Sequence, residues 1–274
     1  MQNRIDQCFA ALRARNKNAF IAYICAGDPN LERTIDLAVA LEKAGTDILE
    51  LGLPFSDPLA DGIVNQLAAQ RALEAGATVQ GVLDCVRQIR RVSQMPIVLY
   101  TYMNPIFQFG FERFHREASA AGVDGLLILD LPPEEDLAAQ SEALLHIRLI
   151  APTTPPERIE AICAKAAGFI YYVSREGVTG AQASVVSSLA ERVAQVRRFT
   201  KLPIAVGFGI STPEQAREVA QSADAIVVGS AIVQRIFDER AAADMPERIG
   251  AFVKTLAGAT KDQGAAVSKP PNEN

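Results

Sequence analysis

Eight short apolar runs, each followed by a stretch with helical periodicity, limit what this chain can fold into more than any other feature. The runs cover residues 19–24, 48–51, 97–101, 125–129, 148–151, 169–173, 204–206 and 225–228. They are continuous rather than alternating in polarity, the pattern of parallel strands covered on their outer face by helices. Helices are expected over 31–43, 64–74, 79–92, 111–121, 134–145, 156–166, 189–199, 213–221 and 246–256, with a shorter one from Ala231. In the first of these, Leu31, Ile35, Leu37, Ala38 and Leu41 supply the apolar positions, and Gly45 stops it. Pro156 opens one helix at a position where a missing N–H costs nothing. Thr212 is placed to cap another. Before the first strand, residues 5–13 read as an amphipathic helix with Ile5, Cys8, Phe9 and Leu12 on one face.

Strand–helix units in this succession point to an α/β fold, a single-domain (β/α)8 TIM barrel over residues 1–257. It carries an extra N-terminal helix and a short extra helix before the last one. Residues 258–274, rich in Gly, Lys, Ser and Pro, are expected to be a disordered tail. An open doubly wound sheet is the structural alternative. No G-x-G-x-x-G follows the first strand, and eight even units favour closure.

Composition narrows the partners. The chain has 274 residues, 49% hydrophobic and 22% charged, with a net charge of −5. That balance argues against nucleic acid, whose phosphates demand clustered Lys and Arg. No run of about 18 apolar residues implies a membrane span. The first twenty residues lack a secretory h-region, so a cytoplasmic location is expected. Cys8, Cys25, Cys85 and Cys163 are scattered without a C-x-x-C, which suggests neither a zinc site nor a redox pair. With only His115 and His146 present, no metal site is expected.

The chemistry concentrates in residues 48–62, ILELGLPFSDPLADG. Glu50 interrupts an apolar strand near its end, a costly place for a carboxylate unless it is paired or used. Gly52, Pro54, Pro58 and Gly62 punctuate the loop that follows, and that loop carries Asp57 and Asp61. One carboxylate on a rigid strand and one on a loop make an acid/base pair. Solvation or a salt bridge for Glu50, and turn chemistry for the aspartates, are the plainer readings. In a barrel, sites lie at the C-terminal ends of the strands, where Glu50, Tyr100, Tyr102 and Asp130 all fall. Gly177 and Gly180 follow strand six, Gly207 and Gly209 strand seven, and Gly229 and Ser230 strand eight. Backbone N–H groups at such glycines and at a helix start suit a phosphate. Tight turns alone would also use them.

Six segments together resemble the tryptophan synthase alpha chain family: LELGLPFSDPLADG at 49–62, AGDPN at 26–30, YMNPIF at 102–107, SREGVTGA at 174–181, GFGIST at 207–212 and GSAIV at 229–233. The resemblance runs through about residues 1–257 in unbroken order. It implies a barrel lyase that cleaves indole-3-glycerol phosphate to indole and glyceraldehyde 3-phosphate. It further implies an α2β2 heterotetramer with a tryptophan synthase beta chain. That beta chain holds pyridoxal phosphate, and the alpha chain holds no cofactor. A stand-alone lyase releasing free indole is the alternative. By the same resemblance Glu50 is the general acid/base and Asp61 the second catalytic carboxylate. Asp57 and Arg175 order loops. Thr179 reaches the catalytic aspartate, and Tyr171 lies near the catalytic glutamate. Tyr23, Tyr100, Leu127 and Phe208 line the indole slot. Gly180, Gly209, Gly229 and Ser230 take the phosphate. The sequence departs from the family at Ile63 and Val64, where proline and threonine or valine are usual, and at Tyr100, where a smaller residue is frequent.

Overall fold

The computed structural model describes residues 3–135, 144–174, 182–207 and 209–261, with the backbone alone for 182–188. Eight parallel strands close into a barrel in chain order: β1 (Ala19–Cys25), β2 (Ile48–Gly52), β3 (Ile97–Thr101), β4 (Gly125–Ile128), β5 (Leu145–Ile150), β6 (Ile170–Val173), β7 (Ile204–Gly207) and β8 (Ala225–Val228). The pairing of Ala19 with Ala225 joins the last strand to the first. Successive side chains on each strand alternate between the barrel's inside and its helical jacket. Inside lie Ile21, Ile48, Val98, Leu127, Ile147, Phe169, Ala205 and Val227 in one cluster. Outside, Phe20, Ile24, Leu49, Leu51, Ile97 and Leu99 pack against helices. Both faces are therefore apolar, which is why the strands read as unbroken runs.

The jacket consists of α2 (Leu31–Lys43), α3 (Ile63–Glu74), α4 (Val79–Arg90), α5 (Met103–Phe109), α6 (Phe111–Ala121), α7 (Pro156–Ala164), α8 (Gln182–Arg197), α9 (Pro213–Ala220), α10 (Ser230–Glu239) and α11 (Met245–Lys261). The N-terminal helix α1 (Arg4–Ala14) closes the bottom of the barrel, with Ile5 and Phe9 buried in the interior cluster. The Phe9 and Phe169 rings meet at 5.8 Å. Asp124 secures the same end: it takes Arg4 at 2.9 Å, Arg90 at 2.6 Å and the Ile97 N–H at 2.8 Å.

Four elements differ from the sequence expectation. Residues 103–109 form α5, a helix absent from the sequence expectation. Pro105 falls in its first turn, so its missing N–H breaks no bond. Strand β5 begins at Leu145 rather than at residue 148, and the helix expected over 134–145 lies mostly outside the described residues. Helix α8 begins at Gln182 rather than at residue 189. Helix α11 passes the expected boundary at 257 and runs to Lys261. Side chains remote in sequence hold that end: Lys261 Nζ reaches Asp47 at 2.9 Å and the Gly45 carbonyl at 2.7 Å. Lys17 Nζ donates to the Lys261 carbonyl at 2.9 Å.

Candidate active site

Glu50 points into the barrel from the middle of β2, between Tyr23 of β1 and Val98 of β3 in register. Two residues earlier on the same face, Ile48 belongs to the apolar interior; two residues later, Gly52 opens to the mouth. The carboxyl is 1% exposed, and Oε1 has no hydrogen-bond partner among the described residues. Burial, and then the charge of Asp61, pushes its pKa up to about 8. That shift favours the protonated form near neutral pH and suits Glu50 to donate a proton in an apolar shaft.

Asp61 ends the β2–α3 loop and leans over that shaft. Its two oxygens are held by two phenols: Tyr100 donates to Oδ1 at 2.8 Å and Tyr102 to Oδ2 at 2.7 Å. The Tyr102 oxygen also accepts the Ala60 N–H at 3.0 Å, so the loop is tied to β3 by both backbone and side chain. Burial leaves the Asp61 carboxyl above its ordinary range, and the bonds from Tyr102 and Tyr100 and the Asn65 amide offset that rise only in part. The two carboxyls are thus unlike: one is unpartnered on an oxygen, the other is stabilised as an anion by donors.

Around them stand the aromatic residues. Tyr23 is 5% exposed and meets Tyr100 edge-on at 5.1 Å. Glycine makes its space, since a Cβ on Gly52 would stand 2.5 Å from its hydroxyl oxygen. Tyr171 projects inward from β6, and desolvation together with the charges of Glu50 and Asp61 raises its pKa well above the ordinary value. Leu127, fully buried and paired in register with Tyr100, forms part of the apolar floor.

On the β7 and β8 side, Gly209 has φ +73°, a conformation that favours glycine. Gly229 precedes α10 as its N-cap, makes no side-chain cap and faces the Tyr23 ring. The Ser230 hydroxyl is exposed at the first turn of this ten-residue helix. Backbone donors at a glycine-opened helix start beside the barrel mouth suit a phosphate.

Comparison with known proteins follows the same residues. The family model described as tryptophan synthase alpha chain matches residues 9–261. The chain belongs to the tryptophan synthase alpha chain family. It is 53% identical over 260 residues to the tryptophan synthase alpha chain of Opitutus terrae, covering 93% of this chain and 97% of the relative. It is 48% identical over 258 residues to that of a Geobacter species, covering 93% and 96%. The crystal structure of tryptophan synthase subunit alpha from Legionella pneumophila superposes with a TM-score of 0.87 at 40% identity, covering 95% of this chain and 99% of that one. A chain of tryptophan synthase from M. tuberculosis in an aminoacrylate-bound form gives 0.84 at 33% identity, covering 95% and 100%. The expected reaction class, a carbon–carbon lyase of tryptophan biosynthesis, goes with membership in the tryptophan synthase alpha chain family.

The structure brings Glu50, Asp61, Tyr23, Tyr100 and Tyr171 together at the mouth, with Leu127 beneath. Asp57 stays apart: it is exposed, and its carboxylate accepts the Ser56 hydroxyl at 2.5 Å. Arg175, Thr179, Gly180 and Phe208 lie outside the described residues. Tyr102 and Asn65 enter the site through contacts that the sequence does not announce, and so do Gly52 and Gly207 as seats of tyrosine hydroxyls. The signal for Tyr102 was its place just beyond β3; its reach to Asp61 follows only from strand pairing.

Proposed function

We propose that the barrel mouth cleaves indole-3-glycerol phosphate to indole and D-glyceraldehyde 3-phosphate, with Glu50 as acid and then as base. The observation that carries this reading is the buried carboxyl of Glu50, with Oε1 unpartnered among the described residues, beneath a donor-held aspartate. The bond to break joins indole C3 to a carbon bearing a hydroxyl. Glu50 gives its proton to C3, which places positive charge on the indole nitrogen. The Asp61 carboxylate stabilises that charge. The Glu50 carboxylate then takes the hydroxyl proton, the carbon–carbon bond breaks, and its electrons restore the aromatic ring. The aldehyde leaves as glyceraldehyde 3-phosphate, and Glu50 ends protonated as it began. Tyr23, Tyr100, Leu127 and Tyr171 enclose a planar ring, and Gly209, Gly229 and Ser230 offer donors to the phosphate.

This reading assigns no cofactor to the chain: proton transfer and charge stabilisation are sufficient, and pyridoxal phosphate belongs to a beta chain. We assign an α2β2 assembly in which indole passes to that beta chain. Support comes from exposed apolar side chains on neighbouring segments at the strand-end face: Leu59 is 90% exposed, Ile63 66% and Phe107 68%. The Phe55–Tyr102 ring contact at 5.3 Å joins the two segments. Among the described residues no helix is long and apolar enough to cross a membrane, in keeping with a cytoplasmic assignment.

The experiment is to incubate the purified chain with indole-3-glycerol phosphate, with and without a beta chain, and to measure glyceraldehyde 3-phosphate. Cleavage that rises sharply with the beta chain is expected. Cleavage unaffected by it would favour the stand-alone lyase, and no cleavage in either case would end the reading.

A further inference from the structure

We propose that Tyr100 is a positioning residue for the second carboxylate: its hydroxyl fixes Asp61 over the Glu50 shaft, and its ring couples that carboxylate to Tyr23. The inference rests on the lyase reading of the same site. Both carboxylate oxygens of Asp61 are occupied, by Tyr100 at 2.8 Å and Tyr102 at 2.7 Å. A carboxylate has about four lone-pair positions, so the two phenols and the Asn65 amide still leave room for an indole N–H. Two phenols at fixed points on and just after β3 therefore set the plane and tilt of the group without blocking it. The loop and the first turn of α3 add the Asp61 N–H on the Pro58 carbonyl at 3.0 Å, the Asp61 carbonyl on the Gln66 amide at 2.8 Å, and the Asn65 amide toward the carboxylate.

Tyr100 differs from Tyr102 in what stands behind it. Tyr102 lies beyond the end of β3, against the Phe55 ring of the loop. Tyr100 is within β3, flanked in register by Gly52 and Leu127. Its ring meets that of Tyr23 at 5.1 Å and 70°, and the Tyr23 hydroxyl sits over Gly52, two residues beyond Glu50. A continuous packed path thus runs from the Glu50 strand through Tyr23 and Tyr100 to Asp61. Ionisable groups facing Asp61 are Glu50 on β2, Tyr23 and Cys25 on β1, Tyr100 and Tyr102 at β3, and Tyr171 on β6. None of these is a cation, so the phenol donors, together with the Asn65 amide, are what favours the charged carboxylate.

The test compares Tyr100→Phe and Tyr100→Leu with the unaltered chain. Tyr100→Phe keeps the ring and the fold and removes one charge-assisted hydrogen bond. Turnover should fall about tenfold with KM little changed, the order of one such bond. Asp61, followed by carbon NMR of labelled aspartate carboxyls and identified with Asp61→Asn, should titrate about one unit higher, since a donor to its charged form is gone. The NMR readout needs no activity. A chain that does not cleave the substrate sinks the lyase reading, while the titration still decides the Tyr100 contact. If Tyr100→Phe leaves turnover and the Asp61 titration unchanged, the proposal is overturned. It is also overturned if Phe is neutral and only Leu impairs, because the residue then acts through ring packing alone.

Discussion

The hydroxyl of Tyr171 occupies the space over Gly207: a Cβ on that glycine would stand 2.5 Å from the phenol oxygen and 3.0 Å from the Cβ of Val227. The same arrangement recurs across the barrel, with Tyr23 over Gly52. Two tyrosines can therefore turn their hydroxyls inward only because a neighbouring strand lacks a side chain there.

Gly207→Ala should expose this dependence. Val227 is fixed in β8, so Tyr171 must yield. Overpacking of this kind costs about 1–3 kcal/mol. We expect lower stability in urea and a turnover reduced by about tenfold, because the ring beside Glu50 has moved. Wild-type kinetics in Gly207→Ala would show that the placement of Tyr171 does not matter to the reaction.

Glu50 should make stability fall as pH rises. Its folded pKa is raised to about 8 from the ordinary 4.5. Below the unfolded value both states hold the proton and the full stability is present. Between the two values the unfolded chain releases a proton that the folded chain retains, so stability is lost as pH climbs toward 8. Glu50→Gln removes this dependence. Its stability relative to the wild type should grow between pH 5 and pH 8, by a few kcal/mol as an order of magnitude. Parallel urea titrations across that range measure it, and a constant difference would mean that Glu50 is ionised in the folded chain.

Most of the barrel was legible because parallel strands buried on both faces are unbroken apolar runs. Glu50 stood out for the same reason, as the one carboxylate within such a run. Less was legible where remote contacts decide. Leu145, His146 and Ile147 have no local mark that separates strand from helix, and only pairing with Gly125, Leu126 and Leu127 makes them β5. Gly258 reads as the start of a tail, yet Lys261 is bound to Asp47 and Gly45. Pro105 reads as a loop signal, yet a first-turn proline is harmless to α5. In the site, the phenols on Asp61 come from β3 and the residue just past its end, some forty positions further on, and no spacing rule announces them.

The phosphate assignment predicts an effect at Gly209. An aspartate there must adopt φ +73° and brings a negative charge toward the proposed anion. Gly209→Asp should weaken inhibition by glycerol phosphate at least tenfold, whereas Ser230→Ala should weaken it only a few-fold because backbone donors remain. An unchanged inhibition constant in Gly209→Asp would move the phosphate elsewhere.

The central claim is that the buried carboxyl of Glu50 moves the proton. Glu50→Gln preserves its shape and leaves nothing to donate. The direct measurement is release of glyceraldehyde 3-phosphate from indole-3-glycerol phosphate by the purified variant at neutral pH, with the beta chain present. A fall in turnover of at least about 10²-fold is predicted, the usual contribution of a positioned acid/base. Turnover within a few-fold of the wild type would contradict the account.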